Sequence, residues 1–326
     1  PGAQHHRRGA NAMTTLFGIP VNVVYATAGV CAVLIASTVI VWLLSRRDES
    51  GRYGELKERV RSWWWMIGAF TLAMLASRTA AIVFLAFISY LALKEYLSLI
   101  PTRRIDRSVL LFAYLAIPLQ FYWAAIWYGM FIVFIPVWTF LFFPALMALR
   151  GETQGFLRAV GTLSWGMMMT VFTLSHMAML LVSGDAVNPI AGGLGLLFFL
   201  VMLTQFNDVA QYTWGKLTGR HKVTPTVSPK KTWEGLVGGV ATTTVVAALI
   251  GPYLTPMDAP WSALAGLIIG ISGFLGDITM SAMKRDLGVK DTGGLIPGHG
   301  GMLDRVDSLT YAAPVFTHFV RYFFYP

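Results

Sequence analysis

Long runs of apolar residues, separated by short polar stretches, dominate the chain. A helix needs about 20 predominantly apolar residues to cross the hydrocarbon core of a bilayer. The pattern predicts ten membrane-spanning helices, with approximate bounds 21–45, 63–77, 80–99, 108–124, 129–149, 161–182, 190–209, 235–255, 261–280 and 309–324. The second and tenth runs are short, but Arg78 interrupts 63–99, which is too long for one crossing. The predicted fold is therefore all-α and polytopic.

Lys and Arg are concentrated in alternate connections between these runs. Of the 25 such residues, 21 fall in or beside 46–62, 94–107, 150–158, 216–231 and 284–305. An excess of Lys and Arg marks the cytoplasmic loops of membrane proteins. The asymmetry predicts that these five connections are cytoplasmic, that both termini lie outside, and that the protein is integral to the inner membrane of the cell. It also explains the net charge of +9 without nucleic acid, which is not an expected partner.

The composition agrees with a membrane protein and excludes several other classes. Apolar residues make up 56% of the chain and charged residues 13%, whereas soluble domains carry about 25% charge. The single cysteine, Cys31, excludes a disulfide framework and a zinc site built from cysteines. Residues 1–12 are interpreted as an expression remnant ahead of a native start at Met13. The remainder divides into N-terminal transmembrane helices, 13–190, and a C-terminal transmembrane catalytic region, 191–326.

Carboxylates gather in the C-terminal region. Asp277 falls inside an apolar run and Asp208 ends another. An ionisable residue in the hydrocarbon region costs about 3 kcal/mol to insert, so a functional role is the first expectation. The alternative is a structural carboxylate paired with a lysine between helices. Asp304 and Asp307 are three residues apart, which places them on one face of a helix. With Asp277 they predict a carboxylate cluster of the kind that holds Mg²⁺.

Basic residues and glycines accompany these carboxylates. Lys230 and Lys231 precede one run, Lys284 and Arg285 follow Asp277, and a glycine-rich stretch covers 293–301. Glycine lets backbone N–H groups approach a ligand closely. Carboxylates with several cations suit a polyphosphate and its magnesium, because phosphoryl transfer needs little beyond positioning and charge neutralisation. The absence of a GxxxxGK[ST] motif excludes a P-loop enzyme.

The same stretch resembles the signature of the CDP-diacylglycerol synthases, or phosphatidate cytidylyltransferases. The matching residues run without departure over 281–307, as Ser281-x-Met283-Lys284-Arg285-x4-Lys290-Asp291-x-Gly293-x2-Ile296-Pro297-x-His299-Gly300-Gly301-Met302-x-Asp304-Arg305-Val306-Asp307. Two upstream motifs also resemble the family, one beginning at Asn207-Asp208 and one covering Ser228 to Gly235. Gln211, between Ala210 and Tyr212, departs from the pattern of many members. The convincing part covers roughly residues 200–308.

The resemblance implies a Mg²⁺-dependent enzyme that joins CTP and phosphatidate to give CDP-diacylglycerol and pyrophosphate. The position of Asp277 inside an apolar run separately predicts a polar cavity open to the cytoplasm, because charges at that depth are tolerated only in such a cavity. The resemblance also implies metal binding by Asp277, Asp304, Asp307 and Asp208, and catalytic roles for the first three with Lys230 and Lys231. Substrate binding is expected from Asn207, Asp208, Ser228, Lys284, Arg285, Lys290, Asp291, His299 and Arg305. A second metal ion and a homodimer are further expectations.

Two other functions remain open at this point. One is a related CTP-dependent membrane enzyme that acts on another lipid phosphate or on a lipid alcohol. The other, of a different class, is a cation-coupled transporter that uses Asp208 and Asp277. A transporter more often shows two related halves, whereas the carboxylates and the motifs here are confined to the last third of the chain.

Overall fold

The computed structural model describes residues 15–16, 18–46, 53–295 and 300–325. It is almost entirely helical, as the apolar runs predict. The first half contains α1 Val21–Arg46, α2 Gly54–Ala76, α3 Arg78–Leu99, α4 Arg107–Ile126, α5 Tyr128–Val133, α6 Phe140–Ala148, α7 Phe156–Met167 and α8 Thr173–Val187. The second half contains α9 Gly192–Thr218, α10 Trp233–Leu254, α11 Ala259–Asp286, α12 Leu303–Val306 and α13 Leu309–Phe324.

The irregular elements are short. A 3₁₀ turn, Arg104–Asp106, precedes α4, and π-helical segments Phe134–Thr139 and Met168–Phe172 join α5 to α6 and α7 to α8. Two small antiparallel hairpins complete the described chain, β1 Thr15–Leu16 with β2 Ile19–Pro20, and β3 Lys222–Thr224 with β4 Ser228–Thr232.

Each of the ten predicted runs coincides with a helix or a pair of joined helices. Among the described residues, eight of these units are long and apolar enough to cross a membrane: α1, α3, α4 with its 3₁₀ turn, α5–α6, α7–α8, α9, α10 and α11. The second run lies in α2, whose charged first turns lower its hydropathy, and the tenth is α13, which has only 16 residues. The protein is an all-α polytopic membrane protein; the total of ten crossings stays a prediction.

The core surrounds the helical unit α7–α8, of which the most apolar stretch is 78% buried. Helices α3, α4, α9 and α13 pack against α8. Small residues allow the closest approach, because Gly184 of α8 meets Gly193 of α9 with no room for a Cβ atom at either position. Such small-residue contacts let helix backbones pack closely in a bilayer. The fully buried His176 of α8 directs its Nδ1 to the carbonyl of Phe172, 2.8 Å away.

Two helices extend beyond their predicted ends, and this changes the position of three site residues. Helix α9 continues to Thr218, so Asp208 lies well inside a helix and does not end it. Helix α11 continues to Asp286, so Lys284 and Arg285 share a helix with Asp277 and are not loop residues. The sequence placed these ends too early because polar side chains follow the apolar run, while the backbone hydrogen bonds continue regardless of hydropathy.

Polar contacts join the helix ends at each side of the bundle. At one side Asn188 Nδ2 donates to the carbonyl of Leu254 at 2.9 Å, and Arg78 pairs with Asp185. At the other side Arg103 Nη1 donates to the carbonyl of Glu152 at 2.8 Å. The carboxyl ends of α3, α9 and α11 and the hairpin β3–β4 all lie at this second side, where the charged connections meet.

Candidate active site

One face of α11 carries three polar residues of the site. Asp277, Ser281 and Lys284 are spaced four and three residues apart, which places them on a single stripe of the helix. Ser281 Oγ donates to Asp277 Oδ1 at 3.2 Å. Asp277 is half-buried, and Lys284 is buried. The stripe therefore presents a carboxylate, a hydroxyl and an ammonium group to the same side of the helix.

The hairpin β3–β4 brings Lys231 to Asp277. Lys231 Nζ lies 2.5 Å from Asp277 Oδ2 and 4.7 Å from the centre of the Phe274 ring. The hairpin leads directly into α10, where Thr232 Oγ1 caps the helix by accepting a hydrogen bond from the N–H of Gly235 at 3.1 Å. The pair matches the alternative predicted for Asp277, a carboxylate beside a lysine. It also joins the motif from Ser228 to Gly235 to the helix that contains Asp277.

Glu234 fixes the base of this hairpin. Its carboxylate accepts hydrogen bonds from the N–H groups of Arg220 and His221, at 3.0 and 3.2 Å, and lies 2.6 Å from His221 Nδ1. These bonds hold the chain that leaves α9 against the start of α10. The position of Lys231 is therefore set by three elements, α9, β4 and α10.

Asp304 is the most heavily bonded carboxylate of the site. Its Oδ1 lies 2.7 Å from Lys284 Nζ, and its Oδ2 accepts from the N–H groups of Thr292 and Gly301 at 2.8 and 3.0 Å and from Thr292 Oγ1 at 3.0 Å. Burial raises the pKa of Asp304, but these hydrogen bonds and the Lys284 charge outweigh it and hold the pKa below its usual value. Gly300 precedes this turn with φ +80°, and a Cβ there would lie 2.8 Å from Asp304 Oδ2.

Glu95 of α3 belongs to this site, although the sequence analysis did not predict it. Its Oε1 accepts from the N–H of Met302 at 2.7 Å, and its Oε2 accepts from the N–H of Leu303 at 2.8 Å and from Thr292 Oγ1 at 3.1 Å. The bonds hold both sides of the glycine-rich loop. The available signal was Glu95 itself, a carboxylate at the polar end of a predicted span.

The next residue, Tyr96, fixes the position of Glu95 relative to α7. Tyr96 Oη donates to the carbonyl of Thr162 at 2.7 Å, and the Tyr96 ring fills the space in which Gly166 lacks a side chain. This contact fixes the register of α3 against α7. The position of the Glu95 carboxylate beside Asp304 is therefore determined by packing within the N-terminal helices.

Asp208 and Asp307 both contact Ser308, and both interact electrostatically with Asp277. Ser308 Oγ is 3.1 Å from both oxygens of Asp208, and the Ser308 N–H donates to Asp307 Oδ1 at 2.8 Å. Burial raises the pKa of Asp307 well above its usual value, and the charges of Asp277 and Asp208 raise it further. The three carboxylates are thus close enough for their charges to repel.

Arg305 and Asn207 border these carboxylates in different ways. The buried Arg305 Nε has no hydrogen-bond partner within the described chain. The positive charge of Arg305 nevertheless interacts electrostatically with Asp208. Asn207 accepts from Thr243 Oγ1 and donates to the carbonyl of Gly270, both at 3.2 Å. The Asn207 amide therefore joins α9, α10 and α11, whereas Arg305 keeps an N–H group available.

Most of the remaining predicted residues are more accessible to solvent than the carboxylates of the site. Ser228 is half-buried at the start of β4, and Lys230, Lys290 and Asp291 are exposed. Arg285 donates from Nε to the carbonyl of Val227 at 3.3 Å, which ties the end of α11 to the hairpin. The prediction for His299 lies outside the described residues.

The sequence predicts a magnesium site formed by Asp208, Asp277, Asp304 and Asp307. No group of three or more His, Cys, Asp and Glu side chains is arranged to hold a metal ion in the part of the chain that the structure describes. The charges of Asp208, Asp277 and Asp307 repel one another, and a divalent cation would relieve that repulsion, since Mg²⁺ prefers oxygen ligands. Asp304 carries more contacts than these three, since its Oδ2 alone accepts three hydrogen bonds and its Oδ1 pairs with Lys284. The assignment of all four aspartates as ligands stays a prediction.

Comparison with known proteins agrees with the motif-bearing site. Residues 57–323 match the model of the cytidylyltransferase family, and the chain belongs to that family. The chain is 47% identical over 292 residues to Uncharacterized protein YnbB of Escherichia coli, a match that covers 89% of this chain and 96% of that protein.

Two further relatives carry the name phosphatidate cytidylyltransferase. The protein from Synechocystis sp. is 50% identical over 114 residues, which is 35% of this chain, and that from Haemophilus influenzae is 44% identical over 138 residues, which is 40% of it. The matched segments span 39% and 47% of those two relatives. These findings confirm the expected family, and the protein is a nucleotidyltransferase.

Proposed function

We propose that the protein is an integral membrane phosphatidate cytidylyltransferase, which converts CTP and phosphatidate to CDP-diacylglycerol and pyrophosphate. A phosphate oxygen of phosphatidate attacks the α-phosphorus of CTP in line with the bond to the leaving group. That bond then breaks, and the electron pair departs with pyrophosphate. No protein nucleophile is needed, since the lipid phosphate is the attacking group.

The observation that carries this proposal is the convergence of cations and carboxylates from separate elements. Lys231 of β4 pairs with Asp277, Lys284 of α11 pairs with Asp304, and Arg305 offers a buried N–H group without a partner. Phosphoryl transfer relies on such groups to position phosphates and to neutralise their charge. A transporter needs no such set of cations beside its carboxylates.

Each of these groups has a distinct proposed role. Arg305 and the exposed Lys230 bind phosphate oxygens, and Lys231 moves its charge from Asp277 toward a phosphate when the nucleotide enters. Lys284 keeps Asp304 and the glycine-rich loop in place. When bound, magnesium supplies further charge neutralisation for the triphosphate, and Asp208, Asp277 and Asp307 are the carboxylates that would hold it.

The position of Asp277 in a membrane-spanning helix supports a lipid as the second substrate. Charged groups at membrane depth are tolerated where they line a polar cavity. The proposal therefore includes a cavity that opens to the cytoplasm for CTP and sideways to the inner leaflet for the lipid phosphate. The charge asymmetry supports a cytoplasmic orientation of this end, in the inner membrane with both termini outside.

Radiolabelled CTP distinguishes the candidate functions. The purified protein is incubated with labelled CTP, Mg²⁺ and either diacyl phosphatidate, another lipid phosphate or a lipid alcohol, and the label in the organic phase is counted. We expect efficient transfer to phosphatidate and none by Asp277→Asn. Preferred labelling of another lipid would identify a related CTP-dependent enzyme. No labelling of any lipid by a folded protein would contradict the proposal and favour the transporter.

A further inference from the structure

A groove of about 750 Å³ runs between α1 and α2, away from the carboxylate site. The α1 side contributes Thr38, Val41 and Trp42, and the remaining lining comes from α2. The floor is open at Gly68, where an added Cβ would meet no atom within 4 Å. No residue of α9, α11 or α12 lines the groove, so it is separate from the proposed reaction site.

The α2 wall is a single stripe that changes from charged to apolar along its length. Lys57, Arg61, Trp65, Gly68 and Leu72 follow one another at intervals of three or four residues, which places them on one face. The two cations occupy the amino-terminal end and Leu72 the far end. At 1.5 Å per residue the stripe is about 22 Å long. The groove therefore offers a cationic end followed by a long apolar channel.

The cations at this end are available to a ligand. Lys57 and Arg61 are both exposed, and neither forms an ion pair with a carboxylate of the described chain. Arg46, at the end of α1, lies 3.9 Å from the centre of the Trp42 ring and adds a third charge beside the groove. Trp64 Nε1 donates to Thr38 Oγ1 at 3.0 Å, which joins the two helices across the floor.

We propose that this groove binds an anionic phospholipid. The phosphate group contacts Lys57 and Arg61, and one acyl chain lies along Trp65, Gly68 and Leu72. Charge complementarity identifies the occupant, because basic pockets between membrane helices on the cytoplasmic side bind anionic lipid head groups. Tryptophan at the same level is typical of the membrane interface. A segment of another protein would not require the free cations at one end and the apolar channel at the other.

Native mass spectrometry of the full chain in detergent tests the role of the two cations. The protein is mixed with phosphatidylglycerol or with phosphatidylcholine of the same acyl chains, and the retained lipid is counted. We expect preferential retention of phosphatidylglycerol, and we expect the double variant Lys57→Gln, Arg61→Gln to lower that preference by about thirty-fold. The matched control Arg107→Gln, Arg158→Gln removes two exposed charges elsewhere and should retain the preference. Equal retention of both lipids by the wild type, or an unchanged preference in the double variant, would overturn the proposal.

A second pair of variants tests the acyl channel independently of charge. Gly68→Leu fills the groove without meeting any protein atom at its Cβ, and Gly29→Leu is the matched control, since Gly29 is an exposed glycine of α1 with the same free space. We expect Gly68→Leu to lower lipid retention at least several-fold, and Gly29→Leu to leave it unchanged. If Gly68→Leu alters the monomer–dimer ratio instead and leaves lipid retention unchanged, the groove holds a second copy of the chain and the proposal is wrong.

Discussion

Lys284 Nζ lies 2.7 Å from Asp304 Oδ1, and this ion pair joins the end of α11 to α12. The Lys284 and Asp304 side chains are only 10% and 5% exposed. Water therefore cannot solvate either charge well if its partner is removed. The pair sets the position of Asp304 relative to the stripe that contains Asp277.

Lys284→Met should destabilise the protein strongly. Removing one partner of a buried ion pair costs about 3–5 kcal/mol, because it leaves the other charge without compensation. The midpoint of unfolding in detergent should therefore fall markedly. Lys290→Met, an exposed lysine four residues beyond the end of the helix, is the control and should alter the midpoint little. Equal midpoints for the two variants would show that the pair contributes nothing to stability.

Asp304 should also make stability depend on pH. Its folded pKa lies below the usual value, so the folded state holds the ionised form more strongly than the unfolded chain does. The stabilisation is fully present above the ordinary aspartate pKa of about 3.9 and is lost as the pH falls through the lower, folded pKa. Thermal midpoints measured toward acid pH should decline, and the decline should be smaller in Asp304→Asn. Parallel curves for the two proteins would remove Asp304 as the cause.

Asp277→Asn should lose nearly all cytidylyl transfer while the protein still folds and inserts. The substitution removes the charge that pairs with Lys231 and that interacts with Asp208 and Asp307. The measurement is turnover of labelled CTP, accompanied by an unfolding curve. Asp286→Asn is a suitable control, because it removes an exposed carboxylate from the end of the same helix. Substantial turnover in Asp277→Asn would exclude this residue from the mechanism.

Lys231→Gln should be more damaging than Lys230→Gln. Lys231 is paired with Asp277, whereas the neighbouring Lys230 is exposed. Loss of one positioned charge-stabilising group commonly lowers kcat by about a hundredfold, so we expect that order for Lys231→Gln. Lys230→Gln should mainly raise the KM for CTP. Identical kinetics in both variants would indicate that the two lysines form only a solvated charge run.

Glu95→Gln should loosen the glycine-rich loop. The amide would keep one acceptor oxygen but would turn its NH₂ group toward the N–H of either Met302 or Leu303, and hydrogen bonds to a charged acceptor contribute about 1.5–3 kcal/mol each. We expect a higher KM for CTP, a lower kcat and faster proteolysis within 287–302. Glu58→Gln, on exposed α2, is the control for removal of one carboxylate. Unchanged proteolysis together with unchanged kinetics would remove Glu95 from the positioning of this loop.

Hydropathy and motifs predicted the class of fold and the family because both depend on local sequence. Apolar runs of sufficient length predict the helices directly. The residue types and their spacing from Ser281 to Asp307 are specific enough to indicate the family. The ends of α9 and α11 were placed too early because hydropathy falls before the backbone hydrogen bonds stop. Hydropathy does not indicate the hairpin β3–β4, since its short strands carry mainly polar residues.

The contact of Glu95 with the glycine-rich loop could not be predicted from the sequence, for a different reason. Glu95 and Met302 are separated by 207 positions, and nothing in either local pattern indicates the other. The pairing depends on how α3 packs on α7, which is a property of the assembled bundle. The pairing of Lys231 with Asp277 is similar, although the concentration of charges in one region made it a reasonable expectation.

The position of Glu95 limits how such an enzyme can be recombined. The glycine-rich loop belongs to the last third of the chain, but Glu95 of α3 accepts hydrogen bonds from the residues that follow it. The contact of Tyr96 with Gly166 determines the position of Glu95. A hybrid that joined the amino-terminal helices of one family member to the carboxyl-terminal helices of another would inherit a working loop only if this register were preserved. We therefore expect the two regions to be exchangeable between family members only as a matched pair.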